Sequence, residues 1–379
     1  MNFTFQMSKK VLIIVLVSIS FSIHSKILHV PAEFTAIQSA INASSDKDTV
    51  LVSPGIYYEN INFRGKNIVL TSVFYVSGSS LIINTTVING SKPNNSDTGS
   101  CVIFSGGEDS TAILQGFTIT GGSGTKWNDE HGAGMFREGG GILVQSSSPV
   151  IQNNVIVSNS VTDTLNIIST GGGGIRIANS FAKIYNNLVM NNTSRYGAGI
   201  VLNFTGGELR NNMILGNFGS KHFGAGSGIW INGEHERLIK IINNTIAGNS
   251  SAGGICGIYG SGTALFKNNI VWGNVSPTNV QASVSLNMSY SVVQGGYQGT
   301  GIIDTNPFEG SSFVPVINSV CIDSGDPDMI FNDKSIPDGN SAIFPSLGNL
   351  RNDIGAFGGP FLVKITSDLI MNLGLLNKK

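Results

Sequence analysis

The densest run of chemically capable side chains lies between Gly121 and Gly139. This one loop holds Lys126, Trp127, Asn128, Asp129, Glu130, His131, Arg137 and Glu138. Later loops at the same phase bring Asp163, then Arg195 and Tyr196, then Lys221, His222 and Phe223. Aromatic rings offer apolar faces to pyranose rings, and neighbouring charges hydrogen-bond hydroxyls or carboxylates. Trp127, Asp129, His131, Arg137, Arg195, Tyr196, Lys221 and His222 are therefore the candidate glycan-binding residues. Two catalytic chemistries are also open. A β-elimination needs proton removal beside a stabilised carboxylate, and Arg137, Lys221 or His222 is the candidate base. A glycoside hydrolase would draw its acid and base from Asp129, Glu130 and Glu138. The plain alternative is that these are solvated charges on a long exposed loop.

A second cluster is purely acidic and amide: Asp323, Asp326, Asp328, Asn332, Asp333, Asp338 and Asp353. Such oxygen density suits Ca²⁺, which takes about 6–8 oxygen ligands. Asp323, Asp326, Asp328 and Asp333 are the candidate ligands of a structural calcium ion. The stretch DSGDPDMIFND lacks the glycine and closing glutamate of an EF-hand loop. Asx-turns in an irregular segment are the competing reading. No other cofactor is called for. The glycine runs recur and are never followed by Gly-Lys-Ser/Thr, and no thiol–histidine spacing suits zinc.

The elements that must carry these loops are set by a repeat. The frame N-N-x-[I/V]-x-x-N begins at Asn153, Asn186, Asn211, Asn243 and Asn268, with spacings of 33, 25, 32 and 25 residues. A Gly-rich segment precedes most copies, as in Gly139 to Ile142, Gly171 to Ile175, Gly197 to Ile200 and Gly226 to Ile229. A 25-residue unit is too short for a helix pair and fits one turn of a β-solenoid. The longer units carry an extra loop. Within the unit from Gly140, strands are expected at Gly141 to Val144, Pro149 to Gln152 and Val155 to Val157. Asn tolerates the left-handed backbone needed at the bend, and identical Asn side chains on stacked turns can bond as a ladder. Ile156, Val189, Ile214, Ile246 and Val271 would stack inside. Gly116 to Gly122 has the same phase, so the repeat starts upstream of the first Asn pair. The repeat also generates N-x-[ST] sequons, such as those at Asn192, Asn203 and Asn249.

The bulk composition agrees. Only 12% of residues are charged, and 49 are glycine, which disfavours a helical protein. A net charge of −1 argues against a nucleic-acid partner. Residues 1–25 read as a signal peptide: Lys9-Lys10 precede the 13-residue apolar stretch Val11 to Ile23, short for a membrane span of about 20 residues. The mature chain is expected to have no transmembrane helix. Residues 26–48 suggest a strand and a capping helix, Thr35 to Ala43, opened by a Thr35–Gln38 capping box. Residues 49–303 are the repeats, with early strands at Thr49 to Val52, Asn60 to Phe63, Ile68 to Thr71, Leu81 to Ile83, Thr86 to Ile88, Cys101 to Phe104 and Ala112 to Leu114. Residues 304–379 form an irregular acidic C-terminal cap. Cys101, Cys256 and Cys321 are too few for a disulfide framework.

Three blocks carry a resemblance. Val30 to Ser72, the GGGI…IQNNVIVSN units, and Ile302 to Pro360 resemble secreted bacterial right-handed parallel β-helix proteins, the fold superfamily of pectate lyases and pectin esterases. The resemblance implies an all-β, right-handed parallel β-helix of roughly ten turns, in an extracellular or cell-surface setting. It does not extend to activity. The paired aspartate segments of pectin esterases and the clustered calcium aspartates of pectate lyases have no counterpart here. The function expected is a secreted protein binding a polysaccharide or cell-surface partner without catalysis. The alternatives are a lyase or hydrolase acting on an extracellular glycan, and a purely structural surface protein.

Overall fold

The computed structural model describes residues 25–362, apart from 130, 131, 163, 164, 221, 234, 235, 284, 311, 338 and 340. The expected signal segment up to residue 24, Glu130, His131, Lys221 and the residues beyond Leu362 lie outside the described residues. The chain winds as a right-handed parallel β-helix. Three long parallel sheets of ten, nine and eight strands form its walls, and each strand pairs with its counterpart one turn away. The ten strands of the first sheet match the expected number of turns.

The N-N-x-[I/V]-x-x-N frame has a separate physical reason at each position. The first Asn of every copy adopts a left-handed φ of 53–56°, a conformation that Asn accepts at less expense than other side-chain-bearing residues. The second Asn enters a buried ladder. Asn154, Asn187, Asn212, Asn244 and Asn269 each donate or accept a side-chain bond to the next turn, at 2.9–3.1 Å. The fourth residue points inward: Ile156, Val189, Ile214, Ile246 and Val271 are all fully buried. The sixth is again left-handed, at φ 53–67° for Ser158, Asn191, Gly216, Gly248 and Gly273. The last Asn forms a second ladder through Asn159, Asn192, Asn217, Asn249 and Asn274, also at 2.9–3.1 Å. Asn192 and Asn249 are buried in it, so the sequons there are out of reach. Gly116 to Gly122 shares the phase: Ile119 pairs in register with Ile156.

The glycine column completes the pattern. A Cβ at Gly141, Gly174, Gly199 or Gly228 would lie 2.5–2.6 Å from the carbonyl oxygen of the glycine one turn on. Only glycine lets those corners approach so closely.

The N-terminal helix is shorter than expected, Ile37–Ala43, and the capping box does not form. Glu59, from the next turn, accepts from Ile37 N and Gln38 N, both at 2.8 Å. A carboxylate at the positive end of the helix outcompetes the Thr35 hydroxyl. Gln38 instead pairs with the Asn62 backbone. Lys66 closes the other end on the Ile41, Asn42 and Ser44 carbonyls at 2.6–2.7 Å.

The strand expected at Leu81 to Ile83 is helical instead, Ser80–Thr85, after a first short helix at Phe74–Ser77. Together they bury Phe74 and Ile83 against the outer face of the nine-stranded sheet. That apolar outer face is the physical reason: a helix can lay one side chain per turn onto it.

Over the later turns the same outer face is covered by the C-terminal segment, which climbs back along the first-Asn corner. Asp326 N donates to Asn268 Oδ1 at 2.8 Å. Asn243 donates to the Asp353 carbonyl at 2.9 Å, Asn211 to those of Ala356 and Gly358, and Asn186 to that of Phe361 at 3.2 Å. Ile354, Ala356 and Phe357 join the outer-face cluster with Met213 and Ile270. All three cysteines are free and buried. Burial pushes the Cys101 and Cys321 thiols up to about 12.

Candidate functional site

The loop from Gly121 to Gly139 is a hairpin. Gly124–Asn128 runs antiparallel to Met135–Glu138. It joins Thr98–Gly99 and Ser169–Gly171 in a four-stranded sheet, which stands against the outer face of the eight-stranded sheet. Strand alternation then sorts the charges. In the register Trp127 faces Phe136 and Lys126 faces Arg137, so Trp127, Phe136 and Glu138 share one side, and Lys126 and Arg137 the other.

Lys126 and Arg137 are spent away from the cleft. Both reach Asp97, at 3.0 and 3.1 Å. Arg137 also donates to the Ser96 and Gly124 carbonyls. The hydrogen bond from Lys126, with the positive charges around it, holds the Asp97 carboxyl below its usual range. Arg137, a candidate base and glycan contact, is buried and tied into the hairpin's back.

On the other side lies a cleft of about 370 Å³, at the lower end of the range usual for small-molecule sites. Glu138 forms its floor. Its carboxylate receives Trp127 Nε1 at 2.7 Å, Arg176 Nε at 3.0 Å and the Tyr196 hydroxyl. Arg176 is fully buried; its guanidinium stacks 3.7 Å from the Trp127 ring centroid and also donates to Gln145. Burial, and then the adjacent Glu138 charge, push the Tyr196 hydroxyl pKa well above its usual value. Tyr196 stays a neutral donor.

The walls are aromatic. Tyr196 meets Phe223 and Trp230 edge-on, with ring centroids 5.1 and 5.0 Å apart. Trp230 Nε1 is held by the Phe223 carbonyl at 3.0 Å. Phe136 and Phe204 line the same space. At the rim Asn232 donates to Asn203 at 3.0 Å. Asp129, also buried, lines the cleft and accepts from Ala133 N. Among the described lining residues there are two carboxylates and no Lys, Arg or His.

Of the residues expected from sequence, Trp127, Asp129, Glu138 and Tyr196 come together here. His222 lies just beyond Phe223, its Nδ1 2.7 Å from Ser169 Oγ. Arg195 is anchored through its backbone N–H to Thr170, and is not among the lining residues. Glu130, His131 and Lys221 lie outside the described residues. Arg176, Phe136, Asn203, Phe204, Trp230 and Asn232 were not foreseen. A signal existed for three of them. Arg176, Val201 and Trp230 occupy one outward column, and an arginine between two inward isoleucines needs a partner. Phe204 follows Ser146 and Asn179 at a left-handed corner, where a bulky ring is out of place.

The acidic cluster resolves into turns. Asp326 accepts from Asp328 N and Asp328 from Ile330 N, each two residues on; Asp326 also pairs with Lys267. Asp323 accepts from Asn349, and Asp333 from Asp353 N and Gly359 N. Asp353 accepts from Asp323 N and Leu347 N. These oxygens thus take backbone donors of local turns together with the side chains of Lys267 and Asn349, the pattern of Asx-turns and local pairs. Among the described residues no three His, Cys, Asp or Glu side chains gather as a metal site. Nor is any described helix long and apolar enough to cross a membrane.

No protein-family model matches this chain, and no curated protein matches it.

Proposed function

We propose that this is a secreted or cell-surface β-helix protein that binds an uncharged polysaccharide without cleaving it, on the scaffold used by the pectate lyase superfamily. The observation that carries the reading is the cleft itself. Six rings, Trp127, Phe136, Tyr196, Phe204, Phe223 and Trp230, surround a floor whose carboxylate already accepts three donors. Rings of this kind stack on sugar C–H faces, and the Asn203–Asn232 rim supplies amides to hydroxyls. A general acid or base must reach the proton it moves, and Glu138 is occupied by Trp127, Arg176 and Tyr196. A lining with two carboxylates and no described basic side chain favours a neutral polymer over a uronate.

The test is affinity electrophoresis of the protein through gels cast with neutral and uronate polysaccharides. Absorbance near 235 nm and reducing ends are followed in parallel. Retardation by a neutral polymer, lost on Trp230→Ala, is expected. Unsaturated product would make it a lyase, and reducing ends alone a hydrolase. Silence in every assay would leave the purely structural role.

A further inference from the structure

Phe223 lines two hollows at once. One is the cleft above; the other is a more open hollow of about 480 Å³ bounded by His222, Phe223, Gly224, Gly253, Gly254 and Pro277. The ring is 41% exposed and stands on a left-handed residue, φ 45°, a conformation unfavourable for a bulky side chain. The hollows follow each other along the solenoid axis. Gly197 N bonds to the Ala225 carbonyl, Ala225 bridges Ile255, and Ile255 pairs with Val280. Tyr196, Phe223, Gly253–Gly254 and Pro277 therefore sit on successive turns. Turns are spaced by about 4.8 Å, close to the length one hexopyranose adds to an extended chain.

The second hollow has a set floor. The Gly254 carbonyl accepts from Ser276 Oγ at 2.8 Å and from Thr278. A Cβ built on Gly254 meets nothing within 4 Å. At its wall the His222 ring lies 4.0 Å from the Phe223 ring, centroid to centroid.

Building on the binding reading, we infer that the protein holds a neutral glycan chain lengthwise, parallel to the solenoid axis. One sugar occupies the aromatic cleft and the next lies across Phe223 in the glycine-floored hollow. The ligand is an internal or terminal run of at least two hexopyranoses, with Phe223 as the face shared between them.

The experiment is calorimetry of the full chain with β-1,3- and β-1,4-linked gluco-oligosaccharides of one to four units, and with those cut from whichever neutral polymer retards it. Affinity should rise about tenfold or more, roughly 1.4 kcal/mol, between one unit and three. Gly254→Trp, which fills the second hollow, should bring the three-unit affinity down to the one-unit value. Gly254→Ser, too small to fill it, should keep the rise and show that the site tolerates a side chain. Equal affinity for one and three units overturns the inference while leaving the binding reading intact. So does a rise that survives Gly254→Trp in a protein with wild-type circular dichroism. No binding of any sugar overturns both.

Discussion

The Asn ladders and the cleft floor both bury polar side chains, yet they satisfy them in opposite ways. In the ladders each amide meets an identical amide one turn away and a backbone carbonyl beside it; Asn212 bonds Asn244 and the Ile184 carbonyl. The partners arrive with the repeat. In the cleft Glu138 is satisfied by Trp127 of its own hairpin, Arg176 of a wall strand and Tyr196 of a later loop. Those partners come from three different places and occur once. The ladder makes neighbouring turns alike; the cleft pins an added hairpin to the particular turns that carry Arg176 and Tyr196.

The sharpest way to break this contrast is at the floor. Arg176→Met leaves Glu138 buried beside an apolar group and should destabilise by about 3–5 kcal/mol, as breaking buried pairs does. Adding Glu138→Gln should return most of that in urea unfolding. Recovery absent from the double variant would mean that Arg176 acts by packing alone. At a ladder rung the loss should be smaller and insensitive to ligand. Asn212→Ala strips partners from the Asn187 amide groups and the Ile184 carbonyl. At about 1–3 kcal/mol per unsatisfied group, less what an entering water restores, the net is roughly 2–4 kcal/mol.

The contrast sharpens further with pH, because amides do not titrate and the C-terminal carboxylates do. Burial, and then the Asp353 charge, raise Asp333 to about 8; burial, with Asp323 nearby, raises Asp353 to about 7. Unfolded aspartates titrate near 4. Between those values the folded chain holds more protons, so stability must fall as pH rises. The contribution is whole below about pH 4 and lost as pH passes through 7 to 8. Melting temperature should drop from pH 5 to pH 9, and Asp333→Asn should flatten the drop. The smallest effect is a gain. Phe204→Asn restores the residue type found at Asn179, one turn earlier at the same corner. It should stabilise by roughly 1 kcal/mol while weakening glycan retention. Stabilisation without weakening would remove Phe204 from the site.

How much of this was legible follows the same line. The fold lies in a local, repeated pattern: the inward residues from Ile156 to Val271 and the left-handed Asn corners need only their own frame to be recognised. The site is non-local. That Trp127 and Glu138 face one way and Arg137 the other depends on hairpin register, which the irregular Gly121 to Gly139 stretch does not display. Arg176, between Ile175 and Ile177, signals that it needs a partner, but which partner only the overlying hairpin reveals. The helix cap is illegible for the same reason, since Glu59 reaches Ile37 across a turn and no local motif announces it.

The returning C-terminal segment has a consequence in time. Turns of a solenoid can stack in the order they leave the ribosome, each on the last, with no need of distant sequence. The residues that lock onto Asn268, Asn243, Asn211 and Asn186 all appear after the turns they bind. Until then the stacked turns are free to fray one by one; afterwards four of them are tied to a single clasp. A chain that grows additively thus becomes one that opens as a unit, and the returning segment acts as the fastening across those turns.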